Sequence, residues 1–349
     1  MPALAATPSA PSALADVLDA PVQPSSAKPV ASGIDRQGDR FIAVGARGAI
    51  FVSTDGAATW SQSASPTRAD LVGVRISDAS VAWAVGHDGI ALRSADGGKS
   101  WQRMLDGRSV LKLLTAHYGE LARAGDEAAQ RMLKEVEGAA SQSATPGVLP
   151  SPFFDVWFAD ANEGLLVGAF GLILHTRDGG RHWTPLMERT DNERHFHLYG
   201  VQGHGADRWV AGEQGLLLHW NPESGRFVKV ETPYNGTFFG LSVQPGAVVV
   251  FGLRGNAYVS RDNGAQWTKI DTGVDANLVA ALPLGAGRIL LVSQAGHLLT
   301  TDVDGRKAVQ LKTGVPAGEV LGAVATGSGR VVLARPAGIL AVDLPRPAP

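Results

Sequence analysis

The sequence contains no cysteine, which excludes disulfides, thiol catalysis and cysteine-based zinc sites. It has no run of about 18 apolar residues, so no segment reads as a membrane-spanning helix. An excess of basic charge is missing too: 31 Lys and Arg stand against 33 Asp and Glu, a formal net charge of -2. Nucleic acid is thereby excluded as a partner, because its usual footprint is a basic stripe. Aromatic residues make up only 7% of the chain, so sugar-stacking platforms are scarce. What is plentiful is Gly (43) and Pro (20), which points to many tight turns and away from a mainly helical protein.

One phrase recurs. STDGAATW (Ser53 to Trp60), SADGGKSW (Ser94 to Trp101), TRDGGRHW (Thr176 to Trp183) and SRDNGAQW (Ser260 to Trp267) each carry a hydroxyl, an Asp two residues on, small turn residues and a closing Trp. Asp-Gly between apolar runs is turn chemistry: the Asp side chain accepts backbone N–H groups and Gly supplies positive φ. Asp55, Asp96, Asp178 and Asp262 therefore read as hairpin staples, with Trp60, Trp101, Trp183 and Trp267 packing back on the sheet.

A second phrase, an apolar run ending in Gly-x-x-Gly, precedes the first. Its closing glycines (Gly48, Gly89, Gly171, Gly215, Gly255 and, in the weaker versions LLVSQAG and VLARPAG, Gly296 and Gly338) are 40 to 44 residues apart, except for one gap of 82 between Gly89 and Gly171. A period of that length with several short strands per unit is the mark of a β-propeller blade. In the second unit LVGVRI (71 to 76), VAWAVG (81 to 86), GIALRS (89 to 94) and WQRML (101 to 105) read as strands A to D. Twelve or thirteen residues before each Gly-x-x-Gly stand Gly33, Gly73, Asp155, Gly200, Gly240, Ala280 and Gly322. Small residues suit the innermost strand, where backbones crowd toward the axis. The fold expected is all-β, a seven-bladed β-propeller with four-stranded blades. The last unit supplies only three strands, and ALADVLDAPVQP (Ala13 to Pro24) is free to serve as the fourth, closing the ring.

The long gap holds an insertion between blades two and three, Gly107 to Gly147. Leu111, Leu114, Tyr118, Leu121, Ala128, Met132 and Val136 recur at three- to four-residue spacing, so one or two amphipathic helices are expected, with Gly119 and Gly125 as candidate breaks. Gln142 to Pro152 reads as a linker. The domain organisation expected is a tail or signal remnant over 1–12 and a single propeller over 13–349, with 107–150 as helical insertion and linker. MPALAATPSAPSALA lacks a charged n-region and a full apolar h-region, but Ala3-Leu4-Ala5 and Ala13-Leu14-Ala15 look like cleavage sites. A trimmed export signal and a periplasmic or secreted product are expected; a disordered tail on a cytoplasmic protein is the alternative.

Strand order puts the helices on the same face as the B-to-C turns, with Arg47, His87, Asp88, Phe170, Glu213 and Arg254. The D-to-A loops, with Arg68, His195, His197 and Tyr234, open there too. Loops carry function more often than the scaffold, so these residues are the expected partner-binding set. Arg47, Arg68 and Arg254 form either a cationic patch for carboxylates or solvated surface. His195 and His197 stand as His-Phe-His without a third ligand at motif spacing, and no metal or other cofactor is expected. Asp155 is the only charged member of the inner register. It reads either as a channel-facing binding group or as a carboxylate hydrogen-bonded to neighbouring strands.

The Gly-x-x-Gly and [S/T]-x-D-G-G-x-x-W pairing resembles the BNR/Asp-box repeat. Its regular use from Asp39 to Trp267 is similar to the photosystem II stability and assembly factor family, seven-bladed propellers with many bacterial relatives. The box is degraded in blade four (HWNPESGRF) and blade six (TTDVDGRKA), and the helical insertion departs from the family's pattern. The resemblance implies a non-enzymatic assembly factor that binds a protein partner, a component of a membrane or envelope complex. Bacterial relatives resemble accessory proteins of envelope export systems such as RND transporters. The alternative is an Asp-box glycoside hydrolase using Asp155 with Asp88 or Glu213 as the second carboxylate.

Overall fold

The second strand of nearly every blade is apolar along its whole length: AWAVG (Ala82–Gly86), GLLVG (Gly164–Gly168) and AVVVFG (Ala247–Gly252) are buried at every position. A strand buried on both faces must lie between two other layers. In the computed structural model, which describes residues 17–26, 28–302, 306–327 and 329–345, those layers are neighbouring blades. Six four-stranded antiparallel sheets and one three-stranded sheet follow one another in chain order. The fold is all-β and propeller-like, with two helices. Blade two comprises Leu71–Ile76, Ala82–Gly86, Ala91–Ser94 and Gln102–Leu105, within a residue or two of the spans expected from the sequence.

The expected inner register is where crowding is greatest. A Cβ added to Gly73 would stand 2.8 Å from the carbonyl oxygen of Phe154 on the next blade's inner strand. The core is a series of seams between blades. One cluster joins blades one and two through Ile42, Val52, Leu71 and Ala84; others join three to four and five to six.

The recurring Asp-Gly phrase builds both its own turn and these seams. In blade two the Ser94 hydroxyl donates to Asp96 Oδ1 at 2.8 Å and accepts the Gly98 N–H, while Asp96 Oδ1 accepts the Ser100 N–H at 2.9 Å. The same pattern holds at Thr176/Asp178 and Ser260/Asp262. Ser53/Asp55 follows it with Ala57 in place of the glycine. The fifth residue also reaches the preceding blade. A Cβ on Gly180 would lie 2.3 Å from the Trp83 ring, and one on Gly264 3.0 Å from Trp209. Trp83 in turn stacks on Phe158 at 4.9 Å and meets Trp183 edge-on.

Closure of the ring differs from expectation. Blade seven has three strands, Gly322–Ala325, Arg330–Ala334 and Leu340–Asp343. Among the described residues the N-terminal segment does not supply a fourth. Residues 13–16 lie outside the described residues, and the remainder is held elsewhere. Leu18 is buried among blades one and two, Asp19 pairs with Arg103 at 2.8 Å and Arg108 at 3.2 Å, and Val22 bridges Ser65. Burying Leu18 outweighs an edge pairing that would leave it exposed. Blades seven and one meet instead through side chains, Val324 and Val332 against Phe41 and Phe51.

Helices α1 (Gly107–Arg123) and α2 (Glu127–Ser141) lie between the last strand of blade two and the first of blade three. Asp106 caps α1 with a Ser109 capping box, Asp126 caps α2, and Gly125 at φ 95° makes the break. Val110, Leu114, Tyr118, Met132 and Val136 bury against Leu105, Phe153 and Leu172. Ala129, not Ala128, faces inward, because the break restarts the helical phase.

Candidate partner-docking face

In blades one to five the B-to-C turn is one turn of 3-10 helix whose middle residue is left-handed: Arg47, Asp88, Phe170, Gln214 and Arg254 have φ between 51° and 57°. Non-glycine residues rarely sit there, and the next blade holds the turn in place. The Arg47 N–H donates to Asp70 (2.7 Å), the Phe170 N–H to His197 Nδ1 (2.9 Å) and the Arg254 N–H to Asn277 (3.1 Å). The closing glycine allows the approach, since a Cβ on Gly215 would fall 2.0 Å from the Tyr234 carbonyl oxygen. Five side chains are thus projected outward at equivalent places.

Phe170 is the most conspicuous, 56% exposed. Its ring meets His197 edge-on at 4.9 Å. Beside it an aromatic arc runs across three blades: Phe154 stacks on Tyr199 (5.1 Å), and Tyr199 meets Phe239 edge-on (5.6 Å). These three residues stand immediately before Asp155, Gly200 and Gly240, the same register position in blades three, four and five, and they line the bore. Glu213 accepts the His197 N–H at 2.8 Å. Burial, with the neighbouring Glu213 charge and hydrogen bond, holds the Tyr199 phenol above its ordinary pKa, so it stays neutral.

On the other side of Phe170 a groove of about 400 Å³ opens between α2 and blade three, lined by Val136, Ala139, Leu172, Met187 and His195. His195 Nδ1 lies 2.8 Å from Glu135 of α2, tying helix to loop. At α1, Glu188 takes hydrogen bonds from His117 (3.2 Å) and the Tyr118 hydroxyl (3.1 Å). Burial works against the Glu188 carboxylate, but these partners hold its pKa below the ordinary value.

Of the expected binding residues, Phe170, His195, His197 and Glu213 come together here. Asp155 lies deeper in the bore. Arg47 and Arg68 belong to blade one and the loop after it, and Arg254 to blade five, so no single cationic patch joins them. His87 and Asp88 sit on the blade-two turn beside the start of α1, where a Cβ on Gly89 would be 3.1 Å from the Gly107 nitrogen. Tyr234 is half-buried, its hydroxyl donating to the Leu253 carbonyl at 3.1 Å. The two loop histidines diverge, one to Glu135 and the other to the Phe170 amide.

Inside the bore, a space of about 470 Å³, the sequence reading missed two charges. Asp35 and Arg75 stand two residues beyond Gly33 and Gly73, on inner strands. Arg75 lies 3.1 Å from Asp155, and Asp35 accepts the Ile76 N–H at 2.7 Å. Arg75 keeps 41% of its side chain exposed although it lies deep in the ring, because it faces the open bore; the Asp155 side chain keeps 12%. Burial pushes Asp35 and Asp155 upward in pKa, against the pull of Arg75.

A family profile described as Photosynthesis system II assembly factor YCF48 matches residues 148–234, which hold Phe154, Asp155, Phe170, Tyr199 and Glu213. The photosystem II assembly lipoprotein Ycf48 of Synechococcus sp. (strain CC9902) is 32% identical over 120 residues. Two solved structures share the fold over nearly the whole chain. "YCF48 bound to D1 peptide" has a TM-score of 0.64 at 15% identity, covering 94% of this chain and 97% of that one. YCF48 from Cyanidioschyzon merolae has 0.65 at 17%, covering 91% and 97%. Over these stretches the chain is similar to the photosystem II stability/assembly factors, and it shares the propeller fold of the solved YCF48 structures. The rice stability/assembly factor HCF136 is 24% identical over 170 residues. These stretches are 32% and 46% of this chain, and they span only 35% of the cyanobacterial relative and 40% of the rice one. By name these relatives are assembly factors rather than enzymes, and one is a lipoprotein. No helix among the described residues is long and apolar enough to cross a membrane.

Proposed function

We propose that this propeller is a non-catalytic scaffold, an assembly factor that docks a protein component of a membrane or envelope complex on the face carrying Phe170 and the two helices. The observation that carries this reading is the exposed Phe170 ring, placed between an apolar groove and the aromatic arc of Phe154, Tyr199 and Phe239. An aromatic anchor beside a concave apolar surface is the usual centre of a protein interface. The relatives support it: they are assembly factors by name, and one solved YCF48 carries a D1 peptide. Arg47, Arg68, His87, Asp88, Tyr234 and Arg254 form the outer part of the same face, and residues 13–349 act as one domain. We place the protein outside the cytoplasm, in the periplasm, as an accessory of an envelope assembly of the RND transporter kind.

Asp155 fits this reading better than a hydrolytic one. Its oxygens are taken by the Val156 and Val201 amides and by Arg75, which leaves it poorly placed to deliver a proton to a glycosidic oxygen.

The test is photo-crosslinking. A benzophenone amino acid at position 170, in protein mixed with native envelope membranes, should capture a discrete membrane-complex subunit. The same group at Asp39, in an A-to-B turn on the opposite face, should not. Equal capture from both positions, or none from 170, would sink the proposal.

A further inference from the structure

Blade seven differs from the other six in having no fourth strand among the described residues. Its outer strand, Leu340–Asp343, therefore presents an edge. The direction of the backbone groups follows from the ladder. Leu344 donates to the Gly329 carbonyl, and Ala341 pairs opposite Val332 and Asp343 opposite Arg330. In an antiparallel pair the hydrogen-bonded positions alternate, so the amides and carbonyls of Ala341 and Asp343 point away from the sheet. Ile339, two residues earlier, does the same and donates to Pro29 at 3.2 Å. Among the described residues nothing takes the groups of Ala341 and Asp343.

Beside this edge lies a cavity of about 1090 Å³ between blades six and seven. Its position follows from the seams. Where a blade carries the Asp-Gly hairpin, that hairpin covers the strands of the blade before, as Gly98 covers Ile42 and Val52 and Gly180 covers Trp83. Blade six has no such cover. Its last strand leaves Val309 61% exposed on the cavity wall, next to Leu311, and Arg288 and Lys307 line the same space without an ion-pair partner among the described residues. The cavity opens toward the A-to-B turns, away from Phe170.

We infer that blade seven takes its fourth strand in trans: this seat docks an extended segment of a partner polypeptide that carries an apolar side chain and a carboxylate. Only an extended backbone matches the alternating donors and acceptors of Ala341 and Asp343. The apolar side chain lies on Val309 and Leu311, and the carboxylate reaches Arg288 and Lys307. A short segment suffices, since the outer strands of the complete blades are only two to four residues long.

The probe is a fluorescein-labelled peptide copying residues 53–62 of this chain (STDGAATWSQ), which carries the carboxylate and Trp of a blade-covering hairpin. Full-length protein should bind it saturably with a Kd on the order of 100 µM. Ala341→Pro removes an outward N–H without breaking the ladder, as proline at a sheet edge does. It should weaken binding at least about tenfold. Lys307→Glu, on the opposite wall and outside the blade-seven ladder, should weaken it several-fold even if the proline variant proves unstable. Phe170→Asp should leave it unchanged, so this site and the loop face fail separately. No saturable binding up to about 1 mM would overturn the inference, as would equal binding by both seat variants. So would Ala341 and Asp343 amides that exchange as slowly as that of Val332 in the free chain, which would mean the chain fills its own seat. A concentration-dependent dimer abolished by Ala341→Pro would assign the edge to a second copy and overturn it too.

Discussion

Asp155 accepts the backbone N–H of Val201 at 3.1 Å, so one side chain joins the innermost strands of blades three and four. The same carboxylate lies 3.1 Å from Arg75 of blade two, which makes it a pin through three consecutive blades. Its oxygens also take the Val156 amide at 2.9 Å. Asp155→Ala fits sterically, because Ala280 occupies the same register in blade six. It leaves Arg75 and the Val201 amide without their acceptor. The expected loss is about 2 kcal/mol, below the figure for a fully dry ion pair because water in the bore screens Arg75. Asp155→Asn keeps one acceptor oxygen and should lose about half as much. Urea unfolding measures both; an alanine variant as stable as the parent would show that the pin carries nothing.

The seams make a sharper prediction. Gly180 has φ 82°, and a Cβ there would lie 2.3 Å from a Trp83 ring that is 1% exposed and stacked on Phe158. Held between Phe158 and Trp183, the ring cannot move aside without losing those contacts. Gly180→Ala is expected to cost about 3 kcal/mol, combining left-handed strain with overpacking. Gly205→Ala is the control, with φ 60° and open space around it, and should cost about 1 kcal/mol. Similar losses at the two positions would place the whole effect in backbone strain.

The repeat made the scaffold readable because every blade solves the same steric problem at the same register. Gly33, Gly73 and Gly240 could be placed on inner strands before any coordinates, and so could the Asp55, Asp96, Asp178 and Asp262 turns. The candidate docking face was half legible: Phe170, His197 and Glu213 lie on the loop face where the strand order puts them. The arc was missed because Phe154, Tyr199 and Phe239 touch around the ring while standing about 40 residues apart in the chain. Aligning the units one position before the inner register shows it. Asp35 and Arg75 lie outside the small-residue register, two residues beyond Gly33 and Gly73, where a strand again faces the same side, so that register alone does not mark them. Closure by residues 13–24 failed for a different reason. A free segment settles where its side chains bury and pair best: Leu18 is buried between blades one and two, and Asp19, though exposed, pairs there with Arg103 and Arg108.

The Asp-Gly turns set an acid limit. Hydrogen bonds from Thr59 and Ser53 hold Asp55 at a pKa of about 2, and Ser100 does the same for Asp96, against an ordinary 3.8. Asp178 and Asp262 are held low as well, chiefly by backbone amides. A carboxylate with a lowered folded pKa binds fewer protons in the folded than in the unfolded state between those values. Its contribution is therefore whole above about pH 4 and fades as the pH falls through about 2. Asp35 and Asp155, raised by burial, act in the opposite sense, and acid relieves their cost. Stability should fall between about pH 4 and pH 2, and Asp96→Asn should make that fall shallower by a fraction of a proton. Unchanged steepness in urea midpoints measured across this range would remove Asp96 from the account.

Phe170 holds φ 56° with its ring half in solvent, an arrangement that costs folding energy and is kept in an otherwise well-packed ring. Glycine at 170 relieves the strain and keeps the N–H that donates to His197, losing only the edge contact between the rings. Phe170→Gly should therefore be as stable as the parent or up to about 1 kcal/mol more stable in urea unfolding, while partner capture from membranes falls at least about tenfold. Opposite signs for stability and binding are what distinguish an anchor held ready for a partner from a residue that serves the fold. A glycine variant that unfolds more readily would make Phe170 part of the scaffold, and one that binds undiminished would move the docking site away from this turn.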